Sequence, residues 1–533
     1  MPQPMILITE ERLMRGMETG KTIIRHKVFT EIARLAYEGG DYAKALEELP
    51  YKICPGDPDD AGAYKGTLMF ERAVVGERLR LAMGLPTRKL GVHNNISDGV
   101  EESVIAEKYY EPPLINVIKF ACNKCPDNVV TITDGCQACL EHPCMEFCPK
   151  KAISKKANGK AQIDQSRCIR CAKCVSECQF HAIIHQKRPC KTHCGVDCIG
   201  TDEHGRAHID YSKCTSCGQC LANCPFGAIA DKSQIFQTIM AIKSDVPVYV
   251  ALAPAFVGQF GPDAIPEKME AAFKRLGFAG VYEVAIGADL CVQEEASDFL
   301  AEVPSKYSFM VTSCCPSWSN MVKKFFPEMA ENISVALTPM VITARLIKEQ
   351  HPGCKVVFVG PCDAKKLEAS RRHVRSDVDF VLTFEEVLGM FTAKGVDKER
   401  IPMSEAKPLN QASTDARKFA VTGGVAQAVV NAIHKTDPDR EVKVVSATGL
   451  KECRKLLMLA KAGKYNGYLI EGMACPGGCV AGAGTLARID KSAKEVEIFA
   501  SRAEFSCATE TEYADYLPLV EAAGKNYNEV STD

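Results

Sequence analysis

The sequence lacks the features that mark several large classes of protein. Its 65 Lys and Arg are balanced by 67 Asp and Glu, so the formal net charge is −2 and no basic field favours nucleic acid as a partner. No run of about 18 or more apolar residues is present, which argues against a membrane-spanning protein. The N-terminal residues carry no basic segment, so we do not expect a secretory signal.

Fingerprints for dinucleotide and flavin cofactors are also missing. The pair Gly423-Gly424 stands alone after a short apolar stretch, and a lone pair of this kind is weak evidence for a phosphate site. Intrinsic disorder is excluded because 46% of the residues are hydrophobic. With 533 residues, the chain is long enough for three or four domains of about 150 residues each.

What the sequence has in excess is cysteine. Of its 27 cysteines, 17 lie between Cys122 and Cys224, and the rest of the chain is cysteine-poor. A disulfide-stapled miniprotein would be far shorter and evenly supplied. We therefore expect a cytoplasmic location, because in that reducing compartment dense cysteine binds metal instead of forming disulfides.

The pattern predicts three domains and a multidomain α+β and α/β fold class. Residues 1–112 are predicted to be a helical packing or docking domain, because residues 21–37 have amphipathic spacing. Residues 113–235 hold the dense cysteines, with short strands and turns. Residues 236–533 alternate short apolar strands with helices, which predicts an α/β domain with a largely parallel sheet.

Further predictions concern single helices and strands. A second N-terminal helix is expected to cover residues 42–49 and to end before Pro50, since proline removes a helical hydrogen bond. Residues 442–446 are expected to form a buried strand, as are residues 248–252 and 356–359.

Three cysteine quartets have the spacing of [4Fe-4S] sites. Two follow the Cys-x2-Cys-x2-Cys-x3-Cys pattern of bacterial ferredoxins, and the third is the same unit with a two-residue insertion. Zinc rarely uses three close cysteines plus a distant Cys-Pro. Short Ala-Ile tags at 151–154, 181–184 and 227–230 follow the quartets and indicate an internal repeat. The quartets are Cys136, Cys139, Cys144 and Cys148; Cys168, Cys171, Cys174 and Cys178; and Cys214, Cys217, Cys220 and Cys224.

The pairing of these cysteines favours four clusters over two or three. In paired ferredoxins the fourth cysteine of each loop crosses to the neighbouring cluster. The resulting sets are Cys136, Cys139, Cys144 and Cys178; Cys168, Cys171, Cys174 and Cys148; Cys214, Cys217, Cys220 and Cys194; and Cys122, Cys125, Cys190 and Cys224. Cys198 is left free, and a small zinc site or unused thiols are the alternative for Cys122 and Cys125. Such a row of cubanes would conduct electrons between an external carrier and a redox site in the C-terminal domain.

Three segments of the C-terminal domain place further cysteines in loops punctuated by Gly and Pro. Such loops let a cofactor approach the backbone closely. Four of their thiolates could bind another cubane, and a fifth would be available for chemistry. The segments are Thr312-Ser-Cys-Cys-Pro-Ser-Trp318, Gly360-Pro-Cys-Asp-Ala-Lys-Lys-Leu-Glu368 and Glu471-Gly-Met-Ala-Cys-Pro-Gly-Gly-Cys-Val-Ala-Gly-Ala-Gly484.

These segments resemble the three signature motifs of the [FeFe]-hydrogenases, and the resemblance covers roughly residues 150–490. It implies an H-cluster, a [4Fe-4S] cubane joined through a cysteine to a di-iron site that carries CO, cyanide and a bridging azadithiolate. It also implies reversible reduction of protons to H2, with ferredoxin or a similar one-electron carrier as partner. Maturation proteins would insert the di-iron site.

The resemblance also implies roles for single residues. Cys314 would be the proton-shuttling thiol, and Lys365 would hydrogen-bond a cyanide with Glu368 orienting it. Met473 would pack beside the bridging CO, or be an ordinary core methionine. The implied cubane ligands are Cys315, Cys362, Cys475 and Cys479, with Cys479 bridging to the di-iron site.

A proton relay is implied at three further positions. Glu295 matches the relay glutamate of the family, Ser334 matches its serine, and Asp298 takes the place of an outer glutamate. Thiol, hydroxyl and carboxyl groups in sequence can pass on a proton when their pKa values are similar.

The sequence departs from the family pattern around the implied cofactor. Ala255, which follows Pro254, stands where other members have a serine near cyanide, and Gly360 stands where they have methionine. Met340 replaces a glutamine, and Glu302 falls where an arginine would end the proton path. Such neighbours retune potential and rate, so the departures indicate a divergent subgroup.

Two alternatives to a working hydrogenase follow from the same motifs. The first is an iron-sulfur scaffold or assembly protein without the di-iron site, against which the presence of Cys314, Lys365 and Cys479 argues. The second is an H2-sensing protein with little turnover, although no signalling domain is evident after about residue 490.

Overall fold

A computed structural model describes residues 16, 19–56, 67–409 and 411–518. The first residues, on which the predicted lack of a signal depends, lie outside this part of the chain. Within the described ranges, none of the helices has the length and apolar character needed to span a bilayer.

The N-terminal region is helical, as predicted, and its helices begin at hydrogen-bonding caps. The Thr19 hydroxyl accepts a hydrogen bond from the backbone of Thr22, and Asp41 caps the second helix in the same way. The prediction that this second helix ends before Pro50 is wrong, because burial of Leu49 and Ile53 compensates for the lost hydrogen bond. The helices are α1 (Gly20–Glu38), α2 (Tyr42–Ile53), α3 (Leu68–Ala82) and α4 (Val100–Ser103).

The cysteine-rich region consists of two-stranded antiparallel sheets and short helices. Strand β3 pairs with β4, β6 with β7, β2 with β5, and β1 with β8. The strands are β1 (Ile115–Val117), β2 (Val129–Ile132), β3 (Ile153–Lys155), β4 (Ala161–Ile163), β5 (Ile183–Gln186), β6 (Ile199–Thr201), β7 (Ala207–Ile209) and β8 (Ile229–Asp231). The helices are α5 (Pro143–Glu146), α6 (Lys173–Glu177), α7 (Pro189–Thr192) and α8 (Gln219–Ala222).

Each Ala-Ile tag marks the start of a strand in this region. Strands β3, β5 and β8 begin at the isoleucine of the three tags found in the sequence. Strand β6 begins in the same way after Cys198-Ile199, a fourth repeat that the sequence search missed because cysteine replaces alanine there.

The C-terminal region contains two parallel sheets, where a single sheet was expected. The first has the strand order β10-β9-β12-β13, and the second has the order β11-β15-β14. Strand β14 lies at an edge and is largely exposed, so the prediction of a buried strand there is wrong. The strands are β9 (Val248–Leu252), β10 (Gly280–Glu283), β11 (Met310–Val311), β12 (Lys355–Gly360), β13 (Phe380–Thr383), β14 (Lys443–Thr448) and β15 (Tyr468–Met473).

Helices connect these strands, as parallel pairing requires. They are α9 (Ile235–Ile242), α10 (Met269–Leu276), α11 (Val284–Glu302), α12 (Pro316–Phe325), α13 (Pro339–Gln350), α14 (Asp363–Glu368), α15 (Phe384–Lys394), α16 (Thr414–Arg417), α17 (Gly424–Thr436), α18 (Leu450–Lys461) and α19 (Ile489–Ala500). The expected fold class, a mixed α/β multidomain protein, is confirmed.

The N-terminal helices share a hydrophobic core with the C-terminal region. Phe29 and Ile32 of α1 belong to the same buried cluster as Phe384 and Phe391 of α15. The two helices approach so closely that a Cβ atom on Gly389 would lie 2.7 Å from Cβ of Phe29. The domain boundary predicted at residue 112 stays a prediction. The hydrophobic core contains residues from both sides of it.

A buried ion network joins all three regions. Arg25 of α1 contacts Asp231 of β8 at 3.3 Å and Glu385 of α15 at 2.8 Å. Lys366 of α14 contacts the other oxygen of Asp231 at 2.7 Å and Glu386 at 2.8 Å. These groups are almost fully buried, so each charge depends on its partners for stabilisation.

We expect Lys366→Met to destabilise the protein by about 3–5 kcal/mol, because it leaves Asp231 and Glu386 as buried carboxylates without their shared cation. Calorimetric unfolding at a fixed scan rate should show a lower transition temperature. The matched control is Lys461→Met, whose ion pair with Glu328 is exposed and should matter little. Equal shifts in the two variants would contradict the role of the network.

Candidate active site

A cavity lies where parallel strands of both sheets end. It is lined by the loops that follow β9, β11, β12 and β15. The carboxyl ends of parallel strands are the usual place for a binding site in α/β folds. The folding of two separate sheets therefore brings four distant loops to one place.

Five cysteines line this cavity, and they are the five that the three sequence motifs supply. Cys315 and Cys362 stand in extended backbone at the first turns of α12 and α14, so each leaves a strand end and precedes a helix. Cys479 opens a 3-10 turn that ends at Ala481. The set is Cys314, Cys315, Cys362, Cys475 and Cys479.

A buried ammonium group points to an anionic ligand in the same cavity. Lys365 is 8% exposed, and its Nζ lies 2.7 Å from Oε2 of Glu368. The hydroxyl of Thr338 donates to the other oxygen of Glu368 at 2.7 Å, which fixes that carboxylate. Burial alone would lower the pKa of Lys365, but Glu368 raises it above its usual value, so the cation persists. Beyond this ion pair, Lys365 has no hydrogen-bond partner among the described residues.

These groups fit the H-cluster that the motifs predict. Four thiols suffice for a cubane, the fifth remains for chemistry, and the ammonium can bind an anionic ligand such as cyanide. The individual roles of the five cysteines, Lys365 and Glu368 stay predictions.

Glu295 of α11 is fully buried next to the motif loop that carries Cys314. One carboxylate oxygen accepts a hydrogen bond from the backbone N–H of Ser313 at 3.2 Å, and Ser334 is also within hydrogen-bonding reach. Burial raises the pKa of Glu295 to about 7, which suits a group that both takes and gives protons at neutral pH.

The proposed relay continues along one face of α11. Asp298 is half-buried and lies one turn beyond Glu295, close enough to raise its pKa further. Glu302 follows another turn on and pairs with Lys306 at 2.7 Å near the surface. Since residues three or four apart share a helix face, these three acidic side chains lie along one side of α11, from the buried Glu295 towards the surface.

Two of the departures from the family pattern, Ala255 and Met340, lie in the cavity wall. Pro254, Ala255, Met340 and Met473 line it, as expected for cofactor neighbours. At Gly360 an added Cβ would come within 2.5 Å of the Phe358 ring, which itself lines the cavity. The sequence reasoning missed Phe358, because a core strand residue gives no signal of its own.

Glu471 is a second residue that sequence reasoning missed. Its carboxylate accepts hydrogen bonds from the backbone N–H of Gly423 at 2.8 Å and of Ala426 at 3.0 Å. It therefore caps α17 and occupies the helix N-terminus at which a phosphate would bind. A signal was available, since Glu471 opens the last cysteine motif.

The cysteine-rich region brings its thiols together in the predicted sets. Two small cavities are lined by Cys122, Cys125, Cys190 and Cys224, and by Cys148, Cys168, Cys171 and Cys174. Burial and the neighbouring Cys139, Cys178 and Cys136 raise the pKa of Cys144. Burial and the neighbouring Cys217, Cys214 and Cys194 raise the pKa of Cys220 in the same way. In the described part of the chain, no three His, Cys, Asp or Glu side chains are arranged to hold a single metal ion.

One of these sets borders the cavity lined by the five motif cysteines. Cys217 lines the cavity, and the side-chain amide of Gln219 donates to Sγ of Cys475 at 3.4 Å. Cys171, in a different set, is exposed. The sets thus extend from the surface to the cavity wall.

Comparison with known families bears on what such a cavity holds. Residues 246–483 match the family described as "Iron only hydrogenase large subunit, C-terminal domain". Residues 161–184 and 207–230 match the "4Fe-4S binding domain". Residues 246–483 are [FeFe]-hydrogenase-like. The cysteines of all three motifs lie within the first match, and two of the cysteine quartets lie within the second.

Individual relatives cover only part of this hydrogenase-like chain. It is 31% identical to the periplasmic [Fe] hydrogenase large subunit of Nitratidesulfovibrio vulgaris over 41% of this chain and 62% of that one. It is 29% identical to iron hydrogenase 1 of Clostridium pasteurianum, over 48% and 53%. It is also 27% identical to cytosolic iron-sulfur assembly component 3 of Bos taurus, over 45% and 60%. The chain spans between half and two thirds of the curated relatives it matches.

Solved structures match about half of this chain. The structure of [FeFe]-hydrogenase HydA1 from Chlamydomonas reinhardtii gives a TM-score of 0.42 at 22% identity, covering 52% of this chain and 89% of that one.

We expect Cys190→Ala to cost up to about four iron atoms per chain, because it removes one ligand of a predicted cubane. Iron counting on anaerobically purified protein measures this. Cys354→Ala removes an equally buried thiol outside the predicted sets and should leave the iron content unchanged. Full iron content in Cys190→Ala would refute the pairing for this set.

Proposed function

We propose that the protein is an [FeFe]-hydrogenase that catalyses 2H⁺ + 2e⁻ ⇌ H2 at an H-cluster in this cavity. The observation that carries the proposal is the meeting of five thiols and the buried Lys365 ammonium around one cavity. The di-iron part of the cofactor supplies, when bound, the open iron site at which protons and electrons combine.

The protein's own residues have distinct tasks in this proposal. Cys315, Cys362, Cys475 and Cys479 hold the cubane, and Lys365 orients an anionic ligand through its ammonium. The Cys314 thiol gives and takes the proton inside the cavity. Glu295 exchanges that proton with the outside through Ser334 and Asp298, since its pKa near 7 matches the working pH.

Electrons are proposed to travel through about four accessory [4Fe-4S] clusters. The set formed by Cys194, Cys214, Cys217 and Cys220 lies nearest the cavity, because Cys217 belongs to both. A ferredoxin or similar one-electron carrier would exchange electrons at the exposed end, and maturation proteins would insert the di-iron site. We place this activity in the reducing cytoplasm, as the cysteine content predicts.

An assembly or scaffold role is the alternative. It is suggested by the name of the Bos taurus relative, cytosolic iron-sulfur assembly component 3. A scaffold that holds only a cubane needs four thiols in the cavity. The fifth thiol, Cys314, and the buried Lys365 have no task in such a protein. An H2 sensor would keep both Cys314 and Lys365, and it would differ from a hydrogenase only in its lower turnover.

Infrared spectroscopy on protein matured with its accessory proteins separates these roles, because CO and cyanide give bands that no scaffold would show. We expect those bands and H2 formation with reduced ferredoxin. Cys314→Ala should keep the bands and lose turnover by about 100-fold or more, since it breaks the proton route. Cys291→Ala, which removes another buried thiol near Glu295, serves as the control.

Absent bands in fully matured protein would overturn the enzyme proposal. Unchanged turnover in Cys314→Ala would overturn the proton route alone. Bands with negligible turnover in the parent protein would indicate a sensor.

The surface around the outer clusters supports docking of an acidic carrier. Residues 134–187 contain nine Lys or Arg against five Asp or Glu, a net charge of +4 in a chain whose total is −2. Lys150 and Lys173 lie at the rim of the cavity lined by Cys171. Large apolar side chains are exposed among them, as expected at an interaction site. They are Leu140, Phe147, Ile169 and Phe180.

We expect the double variant Lys150→Glu and Lys173→Glu to raise the KM for an acidic ferredoxin several-fold, because it reverses the charge that steers the carrier. The effect should shrink at high salt. Turnover with a small dye donor should stay unchanged. Lys491→Glu, an exposed charge reversal on α19, is the control. A loss with the dye as well would mean that the cluster itself, not docking, is damaged.

A further inference from the structure

The four cluster loops share one position in sequence, and in two of them its side chain lines the cavity of a predicted cluster. It is the residue before the isoleucine that starts β3, β5, β6 or β8. Ala152 at this position lines one small cavity together with Cys148, and Ala228 lines another together with Cys224. The third repeat has Ala182, and the fourth has Cys198.

Backbone hydrogen bonds establish that Ala152 and Cys198 are equivalent. The N–H of Ala152 donates to Sγ of Cys148 at 3.3 Å, and the N–H of Cys198 donates to Sγ of Cys194 at the same distance. Cys148 and Cys194 are the crossing cysteines of their respective sets. The two sites therefore differ at this position by a methyl group in one and a thiol in the other.

The thiol of Cys198 touches the sulfur atoms of two predicted ligands. Its Sγ lies 3.4 Å from Sγ of Cys194, and Cys214 is also within hydrogen-bonding reach. Cys198 is 4% exposed, so water does not compete for this contact.

We propose that Cys198 is a positioning residue that donates an S–H hydrogen bond to the ligand sulfurs of the cluster nearest the catalytic cavity and raises its reduction potential. Reduction adds negative charge to a cluster, and a donor to its sulfurs stabilises that charge. The equivalent outer cluster, with Ala152, receives only the backbone hydrogen bond. Electrons are thereby retained beside the cavity instead of on the outer clusters.

This inference rests on the accessory clusters of the proposed function but not on the H-cluster. Sequence pattern alone would leave Cys198 as an unused thiol. Only the contact with Cys194 and Cys214 and the comparison with Ala152 give it a task.

The test is a redox titration, followed by electron paramagnetic resonance, on the full-length chain produced without maturation proteins. Cys198→Ala restores the residue of the other three repeats. It should lower the reduction potential of one iron-sulfur cluster by up to about 59 mV. For a one-electron reduction this corresponds to about a tenfold change in the equilibrium constant. Cys198→Ser keeps a donor and should leave that midpoint near or above the parent value. Ala152→Cys adds the same thiol to the outer site and should raise a different midpoint.

Iron counting decides between a tuning thiol and a ligand. Unchanged iron content in Cys198→Ala is required by the proposal, whereas loss of iron would make Cys198 a ligand and overturn it. Unchanged midpoints in both Cys198→Ala and Ala152→Cys would also overturn it. Since the di-iron site is absent throughout, failure of the hydrogenase proposal would show only in the infrared experiment.

Discussion

The structure depends on one geometric constraint: parallel strands end at a common edge. Cys315, Cys362 and Cys475 come from loops that are far apart in sequence, and each follows a strand of one of two sheets. The sheets are held by their own hydrogen bonds and by buried apolar side chains, so the loops have fixed starting points. Without both sheets, nothing would hold the loops that carry these three cysteines close together.

Buried charge is the second requirement of this architecture. Lys365 and Glu295 both lie in the interior near the cavity, and each is compensated differently. Lys365 remains charged because Glu368 pairs with it, whereas burial raises the pKa of Glu295 to about 7, and no ion pair to a cation offsets this within the described part of the chain. One site thus holds a permanent cation beside an acid that can exchange its proton, and the difference lies in a single neighbouring side chain.

Sequence reasoning succeeded where a residue type has few alternative uses. The cysteine motifs identified the cavity-lining thiols, and the apolar run at Val248–Leu252 matched strand β9. It failed where tertiary packing decides. Strand β14 has strand-like residues but lies at a sheet edge, and α2 continues past Pro50 because its last turn is buried. Periodicity carries no information about which face another element will cover.

The packing of α1 against α15 has a consequence for the order in which the protein can fold during synthesis. Helix α1 leaves the ribosome first, but its partner α15 begins at Phe384. The cysteine-rich region between them is complete long before, and its hairpins need only local contacts. The part of the apolar face of α1 that packs against α15 therefore has no partner until most of the chain exists. The hairpins that carry the predicted iron-sulfur ligands can therefore form before the core that joins the three regions is closed.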